Sequence, residues 1–132
     1  MPLMPATGLI LVDTNVLIYH MNGVLSVDLK TQLLQALIAG RLSISVITRI
    51  ELLAWRNHTE LSIGKTLKLL KLLPEFELTG PIAEDTIRIR RDFGLKLPDA
   101  VIAATARVHA QTLLTGNGAD FARVQGLSLH LV

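Results

Sequence analysis

The sequence predicts an α/β sandwich built on a parallel sheet. Short apolar runs alternate along the chain with segments of helical periodicity, and each connection is long enough for a parallel crossover. The first run, Leu-Ile-Leu-Val at 9–12, is apolar without interruption, the pattern of a central strand covered on both faces.

Each element has its own signal. Asp13, Thr14 and Asn15 offer capping side chains after the first strand, Val16-Leu17-Ile18-Tyr19 opens a helix, and Asn22-Gly23 breaks it. Over 28–39, Leu29, Leu33, Leu34, Leu37 and Ile38 recur at helical spacing, with Gly40 as the stop. Residues 42–46 read as a second strand and 47–55 as a helix with Glu51 in its middle. A leucine-rich helix covers 60–73 and ends at Pro74, and 76–78 form a short third strand. Gly80-Pro81 starts a helix reaching residue 92, 93–98 form a loop, and Pro98 launches a helix over 99–110. Residues 112–115 make the fourth strand, Asn117-Gly118 and Asp120 mark a turn, and 127–132 make the fifth strand.

No repeat, low-complexity stretch or linker interrupts the 132 residues, so a single domain over 1–132 is expected, with 1–8 as a flexible lead-in. Half the residues are apolar and the mean hydropathy is +0.47, yet no run approaches the roughly 18 apolar residues of a membrane span. The surplus implies elements buried on more than one face and apolar surface for a partner. The first eight residues lack the basic and apolar regions of a secretory leader, and there is no cysteine. Disulfides and thiolate metal sites are excluded, and a cytoplasmic location is the expectation. Thirteen basic against eleven acidic side chains leave only +2, too weak a lean towards polyanions to argue a nucleic-acid partner by itself.

The chemistry lies in the acids. In an open parallel sheet, ligands bind beyond the carboxyl ends of the strands. Asp13 follows the first strand, Glu51 lies a turn into the helix after the second, Asp99 opens the helix before the fourth, and Asn117 and Asp120 follow the fourth. Each acid has a plainer reading: Asp13 as a helix cap, Asp99 as a residue favoured by the helix dipole, Glu51 as an exposed stripe. Only a shared site explains all three together. Carboxylates brought within a few ångströms of one another cannot all stay ionised without a cation. An oxygen-only donor set suits Mg²⁺ or Mn²⁺ and argues against zinc. Such a site supports phosphoryl transfer.

Four segments also resemble a known family. Residues 11–18 (LVDTNVLI) look like the opening motif of PIN domains, 48–54 (TRIELLA) like the second, 99–106 (DAVIAATA) like the third, and 114–117 (LTGN) through Asp120-Phe121 like the fourth. The order and separations agree over nearly the whole chain, and the look is that of the VapC-like toxins of toxin–antitoxin pairs. The resemblance implies a PIN-like three-layer α/β/α sandwich with a five-stranded parallel sheet, and Mg²⁺- or Mn²⁺-dependent cleavage of RNA. Asp13, Glu51, Asp99 and Asp120 would then be the catalytic, metal-holding acids, although an acid stands in many relatives where this chain has Asn117. Thr14, Asn15, Thr115 and Asn117 would support them. The resemblance further implies a homodimer and a small antitoxin that lays an arginine-bearing segment across the site. An RNA-maturation nuclease and a non-catalytic binding module are the alternative readings.

RNA must be gripped by its phosphates. Arg49 and Lys96 stand nearest the acids and are the expected contacts. The aromatics Tyr19, Trp55, Phe76, Phe93 and Phe121 are too sparse for a base-stacking platform. His20, His58, His109 and His130 form no triad spacing, and no glycine-rich phosphate loop is present. The leucines of 61–73 read as core, with Trp55 and a partner groove as the alternative.

Overall fold

The computed structural model describes residues 4–132. Its five strands are β1 (Ile10–Val12), β2 (Leu42–Ser45), β3 (Glu75–Phe76), β4 (Thr112–Thr115) and β5 (Leu129–Leu131). The helices are α1 (Thr14–Met21), α2 (Val27–Ile38), α3 (Val46–Leu53), α4 (Glu60–Lys71), α5 (Gly80–Phe93), α6 (Leu97–Val108) and the single turn α7 (Gly118–Phe121). The strands run in the order β3-β2-β1-β4-β5, all parallel, with Ile10 beside both Leu42 and Thr112.

Alternation along β1 divides the core. Ile10 and Val12 face one cluster with Val16, Leu17, Leu29, Leu33 and Leu52, while Leu11 faces a second with Ile82, Ile89, Ala100, Ile102 and Phe121. The middle strand is therefore covered on both sides, which is why its sequence is continuously apolar. Each such fully buried aliphatic side chain stabilises the fold by about 1.5–3 kcal/mol. Two helical layers enclosing a five-stranded parallel sheet make the α/β/α sandwich that the sequence implies.

Several boundaries differ from the sequence reading: the fifth strand is Leu129–Leu131 rather than 127–132, the helix read as 47–55 is Val46–Leu53, and that read as 60–73 ends at Lys71. The third strand is Glu75–Phe76 rather than 76–78, because pairing with β2 places Glu75 beside Ile44. The sixth helix begins at Leu97 rather than at Asp99; Pro98 lies inside its first turn, where a missing N–H costs nothing. The stretch read as a turn around Asn117 and Asp120 continues into α7, whose Phe121 is buried and anchors it. Of the flexible lead-in expected at 1–8, residues 1–3 lie outside the described residues. From residue 4 onwards the chain is tied down. Met4 is buried and its N–H donates to Gln32, while Arg41 donates to the carbonyls of Pro5 and Gly8. No helix among the described residues is long and apolar enough to cross a membrane.

Candidate active site

The strand order reverses at β1: the chain first builds outwards through β2 and β3, then returns to add β4 on the other side. The carboxyl ends of β1 and β4 flank the resulting crevice, where ligands bind in folds of this kind. Asp13 caps α1 at this point, and both its oxygens are engaged. Oδ1 accepts from the N–H of Thr14 at 2.8 Å, and Oδ2 accepts from the hydroxyl of Thr115, at the end of β4, at 2.7 Å. The Thr115 hydroxyl in turn accepts from the N–H of Asn117 at 2.9 Å.

Glu51 projects from α3 towards the same edge. Its Oε1 accepts from the Thr14 hydroxyl at 2.7 Å, which ties the second acid to the residue that follows the first. Asp99 lies in the first turn of α6, partly buried. Asp120, in α7, accepts from the Asn117 amide at 3.0 Å and pairs with Arg123 at 3.3 Å. The Asn15 side chain accepts from the N–H of Gly116 at 3.1 Å, closing the loop after β4 onto α1. Gly116 packs closely there: a Cβ would meet the Tyr19 ring at 3.0 Å, so the ring would have to shift.

Electrostatics show that the acids share one field. Burial pushes the Asp13 carboxyl above its ordinary value, against the pull of the Thr115 and Thr14 bonds, and the charges of Asp99 and Glu51 add to the rise. Asp99 is also raised, first by burial and then by Glu51 and Asp120, with Lys96 opposing. Asp99 thus links the four acids named from the sequence, feeling Glu51 and Asp120 and acting on Asp13; Thr14, Thr115 and Asn117 bond to these acids, whereas Asn15 bonds the backbone of Gly116. The two basic residues fare differently. Lys96 caps the start of α6 and is exposed beside Asp99, whereas Arg49 is held by Glu75 of β3 at 2.6 Å. Thr48 was given no role by the sequence; it is fully buried three residues before Glu51 and touches Thr14. The three-residue helical spacing was its only signal.

The donors are carboxylate, hydroxyl and amide oxygens, the chemistry that a hard divalent cation takes. Among the described residues no three acidic or histidine side chains stand close enough together to hold a metal ion as they are placed. Uncompensated carboxylates repel, so the set fits such an ion by donor chemistry and would have to draw in around it.

Sequence comparison decides the family: the model of the PIN domain matches residues 10–127. The chain belongs to the PIN domain family. Members of this family are generally nucleases, and they typically use a divalent metal. No curated protein matches the chain by sequence. Among solved structures, a toxin–antitoxin complex from Klebsiella pneumoniae is 32% identical to this PIN domain, covering 92% of this chain and 98% of that one at a TM-score of 0.72. VapBC2 from Rickettsia felis, bound to a promoter DNA fragment, is 22% identical over 94% of this chain and 98% of that one, at 0.82. DNA-bound VapBC from Salmonella typhimurium is 20% identical over the same shares, at 0.83. The last two likenesses speak for the fold.

Proposed function

We propose that this PIN domain is a Mg²⁺- or Mn²⁺-dependent endoribonuclease and the toxin of a toxin–antitoxin pair. The observation that carries the nuclease reading is a buried aspartate, Asp13, raised by its burial and further by two other acids, and bonded among the described residues only to an amide and a hydroxyl. That leaves a rim short of positive charge at the switch point of the sheet. Asp13, Glu51 and Asp99 would hold the cation, with Asp120 and Asn117 at its edge. A bound Mg²⁺ or Mn²⁺ supplies a water of lowered pKa and stabilises the attacking and leaving oxygens of the phosphodiester.

The chain's own residues set the geometry. Thr115 and the Thr14 amide fix the two Asp13 oxygens, and the Thr14 hydroxyl fixes Glu51. Lys96, exposed at the start of α6, is placed to meet an RNA phosphate; Arg49 can do so only by exchanging Glu75. The toxin reading draws on the Klebsiella pneumoniae complex at 32% identity. A groove of about 780 Å³ between α1, α3 and α4 also supports it, lined by Ile18, Met21, Leu52, Trp55 and Leu61 and reaching Glu51. A cytoplasmic antitoxin segment with apolar anchors would fill that groove and bring an arginine to the acids. A homodimer is part of the same proposal, and its test is sedimentation of the purified chain.

The deciding experiment is incubation of total RNA with the purified protein, with Mn²⁺ and with EDTA, and sequencing of the products. Defined cleavage sites that vanish in EDTA are expected; intact RNA in both samples refutes the nuclease. Expression without an antitoxin should arrest growth. Cleavage in vitro with normal growth would favour a maturation or decay nuclease instead.

A further inference from the structure

Among the described residues a single buried side-chain nitrogen or oxygen has no hydrogen-bond partner, Nδ1 of His20. Its half-buried ring stands in the last turn of α1 and lines a cavity of about 20 Å³ between α1, α2, α4 and β2. Every other lining side chain is a leucine, among them Leu17, Leu33, Leu42 and Leu69. A neutral imidazole carries one N–H, and with that proton on Nε2 the buried Nδ1 presents only a lone pair. A second proton turns Nδ1 into a charged donor without an acceptor. No hydroxyl, amide or carboxylate lines the cavity to receive it, and a water admitted there would meet one polar side chain where it needs at least two partners. An unpaired buried charge is far costlier than an unpaired neutral group.

The surrounding charges do not compensate. Lys30 of α2 acts on the ring and repels a cation, while Asp28 of the same helix is exposed. On α4, Glu60, Lys65, Lys68 and Lys71 are all exposed; β2 carries no charged residue, and α1 carries none besides His20. The carboxyl end of α1 favours a cation. Burial first and Lys30 second nevertheless hold the imidazole below its ordinary value.

We propose that His20 is an acid-sensitive latch: as neutral imidazole it closes α1 onto the leucines of α2 and α4, and its protonation loosens α1. The unfolded ring takes its proton as pH falls through 6.5, the folded ring only at lower pH. The latch is therefore whole above pH 6.5 and weakens below it. α1 carries Thr14 and Asn15, which bond Glu51 and Gly116, and it carries Ile18 and Met21, one wall of the groove. Acid thus slackens the rim and the groove together through a residue outside both. This device goes beyond the nuclease reading and stands whether or not the chain cuts RNA.

The test compares the full metal-free chain as wild type, His20→Gln and His20→Leu, by urea denaturation between about pH 8 and about pH 5.5. Relative to either variant, the wild type should lose between about twofold and about tenfold in folding constant over that range, the upper figure being the ceiling for an unfolded imidazole of ordinary pKa. Taking the ratio cancels the carboxylates, which all three chains share. If His20→Leu does not fold, His20→Gln carries the comparison alone. The imidazole NMR signal missing from His20→Gln identifies the ring, and in the wild type it should titrate below 6.5. At the acid end, amide exchange in α1 relative to α5 should be faster in the wild type than in His20→Gln. A folding-constant ratio that stays flat, a ring that titrates at or above 6.5, or exchange that quickens no more in α1 than in α5 overturns the latch.

Discussion

Asp13 and Asp85 are both buried, on opposite terms. Asp85, on α5, meets the guanidinium of Arg107 through two parallel bonds, at 2.8 and 3.0 Å, and Arg88 approaches to 3.6 Å. Arg107 is itself locked by a bond to the carbonyl of Gln125, and its bonds to Asp85 push its guanidinium above the ordinary value. Such a fork is the strong form of ion pair. Asp13 has no basic partner among the described residues; its neighbours are a hydroxyl, an amide and two more acids. One carboxylate is neutralised within the protein, and the other is not. Under the proposed function, that contrast separates a structural acid from a functional one.

That contrast can be broken at several points. The largest effect expected is on cleavage: Asp13→Asn should lower the rate by about a thousandfold or more, some 4 kcal/mol of transition-state stabilisation, with the fold retained by circular dichroism. Asp85→Asn should leave cleavage by the folded protein near wild type. On stability the order reverses. Asp85→Ala strands Arg107 and should cost about 3 kcal/mol in urea denaturation, the low end for a broken buried pair because Arg107 keeps some solvent contact. Asp13→Asn should cost nothing or stabilise the metal-free chain; an equal loss at both positions would erase the distinction.

Mn²⁺ at a hundred times its dissociation constant should stabilise the wild type by about 2.7 kcal/mol, by mass action on the native state. It should do much less for Asp13→Asn, as differential scanning calorimetry will show. A smaller effect concerns pH. Between their ordinary and their raised folded values, Asp13 and Asp99 hold protons in the folded chain that the unfolded chain has already released. Their contribution to metal-free stability is therefore whole below about pH 3.8 and is lost as pH rises through their higher folded values. Between about pH 4 and about pH 7 the melting temperature of Asp99→Asn should gain on that of the wild type; a constant gap would show that Asp99 is not strained.

The smallest effect lies far from the acids. α2 and α6 close with the same pair of bonds, Arg41 to Ala36 and Gly40 to Leu37 in one, Gln111 to Ala106 and Ala110 to Arg107 in the other. The left-handed position is Gly40 in the first and Ala110, at φ 52°, in the second. Ala110→Gly should relieve that conformation and stabilise by about 0.5–1 kcal/mol in denaturant titration, with cleavage unchanged.

Much of the architecture was legible because burial leaves a mark on sequence. The uninterrupted run before Asp13 exists because Leu11 and Ile10 pack into different layers, and the leucines of α2 recur because only one face of that helix is covered. β3 was misplaced because two residues at a sheet edge leave almost no pattern; their position is set by pairing with Ile44, a long-range fact. α7 was missed because Gly118 and Asp120 favour turns, and only the burial of Phe121 holds the segment as a helix. The candidate acids Asp13, Glu51, Asp99 and Asp120 were legible because acids beside apolar strand and helix segments are chemically conspicuous. Thr48 was not, since a threonine within a helix is unremarkable until its hydroxyl partner from another helix is known. The commitment of Arg49 to Glu75 was equally invisible, being a contact between elements.

The bond from Thr115 to Asp13 joins residues 102 positions apart. Translation at about 5–20 residues per second separates the synthesis of the two by roughly 5–20 s. Throughout that interval the growing polypeptide carries Asp13 but lacks the strand and the hydroxyl that seat it. The seating of Asp13 is therefore deferred until the ribosome has passed Thr115, and truncation anywhere before Thr115 leaves the aspartate without that bond.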